Sequence, residues 1–130
     1  NSLKMASVTT IIENRIPLGV RVSILVADTP ENVYSNPKLT IPKDGKGFGV
    51  DPASNDRTDS EGRGIRSTKK VELTAEDALV FLEPGGVYTG VLIEIAKTEG
   101  ETPVQLFGTD FVSVQAGAQI IVELNEQLVD

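Results

Sequence analysis

Apolar residues occupy every second position along three long runs of this chain, and that spacing limits what it can build. In "GVRVSILVA" Val20, Val22, Ile24 and Val26 share one face, with Arg21 and Ser23 on the other. In "GGVYTGVLIEIA" Val87, Thr89, Val91, Ile93 and Ile95 share a face, and in "AQIIVELN" Ile120, Val122 and Leu124 alternate with Ile121 and Glu123. A period of two marks a strand with one face buried. Shorter runs predict strands at Val8–Glu13, Lys38–Ile41, Gly64–Leu73, Ala78–Leu82, Val104–Phe107 and Phe111–Val114. Twelve glycines and seven prolines punctuate the chain, Gly117 among them, as tight turns between many short strands require. Helix is expected only at Thr74–Ala78, with Thr74 as cap and Asp77 at the capping-box position, and in the tail "NEQLVD". The pattern predicts an all-β fold, a single β-sandwich domain over residues 1–130, with about seven to nine strands.

Composition removes much chemistry. The chain has no cysteine and no histidine. Disulfides and thiolate metal sites are therefore impossible, and the commonest general base and transition-metal ligand are missing. A net charge of −7 repels phosphate backbones and anionic headgroups. Arg63, Arg66, Lys69 and Lys70 form the only basic cluster, and Glu61 and Glu72 answer it nearby. It reads as a solvated strand face, so no nucleic-acid partner is expected. No apolar run reaches membrane-spanning length, so no membrane insertion is expected either. No secretion signal is visible. Met5-Ala6-Ser7 reads as a native start, with residues 1–4 as a cloning remnant.

One segment breaks the strand rhythm. From Pro42 to Gly62 the only large apolar residues are Phe48 and Val50. Loops of this length are usually functional or mobile. It contains the acidic stretch "DPASNDRTDSEG", where Asp51, Asp56, Asp59 and Glu61 are the candidate metal ligands; their hard oxygens suit calcium alone. The spacing does not match an EF-hand loop.

Four short signatures follow one another: "NRIPLGVRVSI", "TDSEGRG", "LEPGGVYTGVLIEI" and "VSVQAGAQIIVEL". In this order they resemble immunoglobulin-like and prealbumin-like β-sandwich modules of the carboxypeptidase-regulatory-like, Cna-B-type and bacterial immunoglobulin-like kinds. Pro17, Gly19, Val20 and Val22 match the opening turn and strand, and Thr58, Asp59 and Gly62 the second turn. Leu82, Pro84, Gly85 and Tyr88 match the corner, and Val114, Ala116 and Gly117 the final strand. The resemblance implies an immunoglobulin-like or prealbumin-like sandwich in a surface or secreted assembly. Tyr88 would then act as a tyrosine corner, its ring packed inward and its hydroxyl bonded upstream. The insertion at 42–57 departs from the family pattern.

The function expected from these readings is structural or interactive and non-enzymatic. The chain would be a component of a virion, as a capsid decoration or tail accessory protein, or of a bacterial surface or secreted assembly. It would work in the virion or outside the cell, with a protein partner that includes a second copy of itself. The expected mechanism is pairing at an exposed sheet edge. The run Lys38–Ile41, between Pro37 and Pro42, reads as a protected edge. "TPVQLFG" reads as a less protected one, with Val104, Leu106 and Phe107 as candidate contact residues, joined by Phe48 in the long loop. The alternatives are a calcium- or carbohydrate-binding module, the latter stacking sugar on an exposed Phe48, and, more remotely, a hydrolase using paired carboxylates in a concave pocket.

Overall fold

The computed structural model describes residues 2–54, 64–96 and 103–123, and among these the side chains between residues 5 and 121. In chain order the elements are β1 (Ser2–Asn14), β2 (Val20–Ala27), α1 (Asn32–Ser35), β3 (Leu39–Ile41), β4 (Phe48–Val50), β5 (Ile65–Glu72), α2 (Ala75–Val80), β6 (Tyr88–Ile95) and β7 (Val112–Glu123). They form two antiparallel sheets packed face to face, the all-β sandwich that the alternation predicts.

One sheet has the order β5-β1-β7. In the other, β2 is central. Its first half pairs with β4 (Val20↔Val50, Val22↔Phe48) and its second half with β3 (Ile24↔Ile41, Val26↔Leu39) along one edge. Along its opposite edge β2 pairs with β6 over its whole length, from Val20↔Ile95 to Ala27↔Tyr88. β4 comes up against β5, so β6 and β7 occupy the opposite side of the sandwich.

The core lies where the even-numbered residues of both central strands meet. Val8 and Ile12 of β1 face Val20, Val22, Ile24 and Val26 of β2, closed off by Leu39, Ile41 and Val50. The other face of β2 is covered as well near its end, where Leu25 and Ala27 bury against Val33 of α1. Gly47 lets the chain pass close over β2. Its φ is +79°, and a Cβ there would stand 3.1 Å from the Arg21 Cβ.

Three strand expectations change. Ala78–Leu82 is not a strand: its first three residues close helix α2, and Val80 and Phe81 pack against the core. The helix wins because Thr74 caps it, its Oγ1 accepting from the Asp77 N–H at 3.1 Å, with Glu76 and Asp77 in the first turn. Val104–Phe107 is irregular rather than a strand. Beyond it the Asp110 carboxylate accepts from the Phe107 N–H at 2.9 Å and the Phe107 carbonyl from the Asp110 N–H at 3.0 Å, which closes a turn instead of extending a ladder. The last two runs form one continuous strand, β7, in which Gly117 pairs with Thr9 instead of making a turn. β4 and α1 are elements that alternation did not reveal. The expected tail helix lies outside the described residues.

Two polar side chains on the inner face of β1 behave in opposite ways. Asn14 is fully buried and fully bonded. Its Nδ2 donates to the Leu18 carbonyl at 2.9 Å and the Asp51 carbonyl at 3.0 Å, and its Oδ1 accepts from the Ile16 N–H at 2.9 Å. It thereby ties the β1–β2 turn to the strand end after β4. Thr10 is equally buried, and its hydroxyl has no partner among the described residues. Asn14→Ala is expected to destabilise the fold by about 3 kcal/mol, because buried partners lose their bonds. Thr10→Val is expected to be neutral or stabilising, because an unpaired buried hydroxyl costs about 1–3 kcal/mol. Urea denaturation reads both changes. An Asn14→Ala chain as stable as the parent would contradict the clamp.

Candidate functional site

The sandwich is closed on one side and open on the other. On the closed side the free edges are defended. β3 and β4 are three residues each, and Pro37 and Pro42 flank β3. β5 carries Arg66, Lys69 and Lys70. Lys69 pairs with Thr10 and so faces inward, an arrangement that repels an added strand.

On the open side neither edge is defended among the described residues. β6, "YTGVLIEI", contains no Lys, Arg or Pro and a single charge, Glu94. β7, "VSVQAGAQIIVE", is uncharged up to Glu123. Register places Thr89, Val91, Ile93 and Ile95 on the inner face of β6, opposite Val26, Ile24, Val22 and Val20. These apolar side chains do not meet a full complement from the facing sheet. Val91 is 37%, Ile93 38% and Ile95 52% exposed. Around Val91 the cause lies in β7, whose inner-face positions there are Ala116 and Ala118, too short to fill the gap. The result is a cleft of about 250 Å³ between the two edge strands, lined by Val8, Ile24, Ile41, Phe81, Val91 and Ala118 among others. Leu92, on the outer face of β6, is 43% exposed, and Ile121 of β7 38%. A stripe of exposed apolar residues along an unpaired edge is where proteins meet other chains.

Local packing fixes the position of β6. Gly90 lies beneath α1, and a Cβ there would stand 2.6 Å from Val33 Cγ1 and 2.7 Å from the Tyr34 hydroxyl oxygen. Only glycine lets the helix cover this strand so closely. Lys38 ties the approach to β6, its Nζ lying 3.3 Å from Glu83 Oε1 and 3.5 Å from Asp28 Oδ2. The Glu83 hydrogen bond and the Asp28 charge raise the Lys38 pKa above the ordinary lysine value. At the far end of the cleft Lys43 holds Asp77 of α2, Nζ to Oδ2 3.0 Å.

Comparison with known proteins finds no matching family model, no matching curated protein and no matching solved structure. The site is therefore read from its own geometry.

The residues singled out from sequence fall elsewhere. Val104 and Phe107 are half-buried and Leu106 is 60% exposed, all in the irregular β6–β7 connection and not on a sheet edge. Phe48 lies in β4, half-buried, and packs against the core, so its ring is not a free sugar platform. Tyr88 does not form the expected corner. It is 49% exposed, and its hydroxyl has no hydrogen-bond partner among the described residues, because the strand places it on the outer face opposite Ala27.

Of the four candidate calcium ligands, Asp51 is exposed, and its backbone carbonyl serves Asn14. Asp56, Asp59 and Glu61 lie outside the described residues, as do Thr58 and Gly62. Among the described residues no cluster of three or more acidic side chains is arranged to hold a metal ion. Also among them, no helix is long and apolar enough to cross a membrane.

A second depression, of about 570 Å³, opens at the end of the β2 sheet and brings together Arg21, Asp51 and Glu94. Two carboxylates beside a guanidinium meet the first condition of the hydrolase alternative. Both are exposed to water, whereas a carboxyl acid working near neutral pH is set in apolar surroundings.

The packing at Gly90 gives a sharp test. In an ordinary strand Gly→Ala is favourable or neutral. Here Gly90→Ala is expected to destabilise the chain by about 1–3 kcal/mol through overpacking against α1. Thermal unfolding measures it, and an unchanged or higher melting temperature would show that α1 does not clamp β6.

Proposed function

We propose that this protein is a non-enzymatic interaction and structural β-sandwich that accepts a partner strand at its open β6–β7 side. The observation that carries the reading is the contrast between edges: β3, β4 and β5 are short, proline-flanked or basic, while β6 and β7 are long, uncharged over most of their length and apolar. An added strand would continue the β2 sheet beyond β6. Its alternate apolar side chains would then fill the space left by Ala116 and Ala118. Backbone hydrogen bonds along β6 would supply affinity, and the cleft would select side chains with a two-residue period.

The sequence resemblance to surface modules supports a bacterial surface or secreted assembly, and the absence of cysteine and histidine supports a virion in which such a sandwich decorates a capsid or joins a tail. The place of action is then the virion or the cell exterior. Edge pairing suits such a role because it joins rigid bodies without a mobile loop.

A synthetic peptide with valine at every second position and lysine at its ends tests strand acceptance. Added to the chain held monomeric by dilution, it is expected to shift the amide resonances of residues 88–95 and 112–121 and to raise the melting temperature. Shifts confined to β3 or β5, or no shift at millimolar peptide, would overturn the reading.

A further inference from the structure

We infer that the strand accepted at this edge is β6 of a second copy of the same chain, paired antiparallel about a two-fold axis through Leu92. This rests on the open-edge reading and adds the identity of the partner.

The register follows from three constraints. For inner faces to remain continuous, paired residue numbers must sum to an even value, so the axis passes through a residue rather than between two. Full use of Tyr88–Ile95 then leaves Val91 or Leu92 as the centre. With Leu92 at the centre, Val91 pairs with Ile93 of the second copy, and Thr89 with Ile95. The apolar inner row continues unbroken across the junction. Gly90 pairs with Glu94 of the second copy, so the one charge on the strand never meets its like. The Tyr34 hydroxyl lies directly over Gly90. The incoming Glu94 carboxylate therefore arrives beside a hydroxyl donor on the outer face. The Val91-centred register sets Glu94 against Tyr88, which also carries a hydroxyl donor, but it puts Leu92 opposite Gly90, so a cross-link between the two Leu92 positions tells the registers apart.

The same axis brings the two β7 edges towards each other, where Ala116, Gly117 and Ala118 offer no side chain large enough to obstruct approach. Both sheets would then run through the dimer, with the two clefts joined into one closed core. A two-fold interface requires a surface complementary to itself, and β6 meets this in sequence, since its apolar inner row pairs with itself. The net charge of −7 does not oppose it strongly, because the junction carries only Glu94 from each β6 and charges farther away are screened at physiological salt.

The chain has no cysteine, which makes the test clean. Leu92→Cys would place two thiols opposite each other across the axis, within the spacing a disulfide requires. Leu79→Cys, on α2 and similarly exposed, is the control. Light scattering across concentration is expected to show a monomer–dimer equilibrium. Leu92→Cys is expected to cross-link to dimer at least about tenfold faster than Leu79→Cys under mild oxidation, since pairing raises the effective thiol concentration. Leu92→Lys, with its fold verified by circular dichroism, is expected to weaken dimerisation at least about tenfold by opposing like charges. A dimer whose Leu92→Cys form cross-links no faster than the control would overturn the β6 pairing. A wild-type chain that stays monomeric to millimolar concentration would overturn it too. If the valine peptide still binds in that case, strand acceptance stands and only the partner is wrong; if it does not, both fail.

Discussion

β2 is hydrogen-bonded along both edges, and Val20, Val22, Ile24 and Val26 form the middle of the core. The other elements take their places around it. Because β3 and β4 divide one edge between them, that edge ends in two three-residue strands with nowhere to extend. The other edge falls to β6 alone. β6 therefore stands one strand beyond the well-packed centre, and around Val91 its inner face looks onto Ala116 and Ala118. The open cleft follows from the place of β6 at the end of its sheet together with the short β7 side chains opposite it.

The two ends of the sandwich are held by different means. At one end the buried Asn14 amide gathers the β1–β2 turn and the chain after β4. At the other, α2 caps the core with Val80 and Phe81 while Lys43 pairs with Asp77. Phe111 adds a further tie: its carbonyl accepts from the Arg15 N–H at 3.0 Å, and the Arg15 guanidinium lies 5.2 Å from its ring centre. The side between β6 and β7, which the proposal gives to a second chain, lies between these two held ends. Preorganisation of this kind lowers the entropic cost of association.

The architecture was largely legible in the sequence, and the site was not. Alternation in Val20–Val26 marked a strand, though not its central place, and Thr74 with Asp77 located the start of α2. Alternation failed at Ala78–Leu82, where an apolar run follows a good cap, and at Val104–Phe107, where Asp110 turns the chain. It also could not distinguish a strand facing a partner from one facing a gap. Val91, Ile93 and Ile95 show the same period as the buried residues of β2, and the exposure of Val91 depends on Ala116 and Ala118 more than twenty positions later. A signal was nevertheless present. β5 contains Arg66, Lys69 and Lys70 whereas β6 has no basic residue, and the position of lysines in strands marks which edges are meant to stay free.

On the proposed pairing, the outer edge of β6 is unpaired in the isolated chain and becomes paired on association. Amide hydrogen exchange at residues 88–95, followed as protein concentration is raised, tests it most directly. The account predicts that alternate β6 amides exchange rapidly at high dilution and gain protection with concentration, while β5 amides do not change. Uniform protection of β6 at every dilution, or exchange independent of concentration throughout, would contradict it.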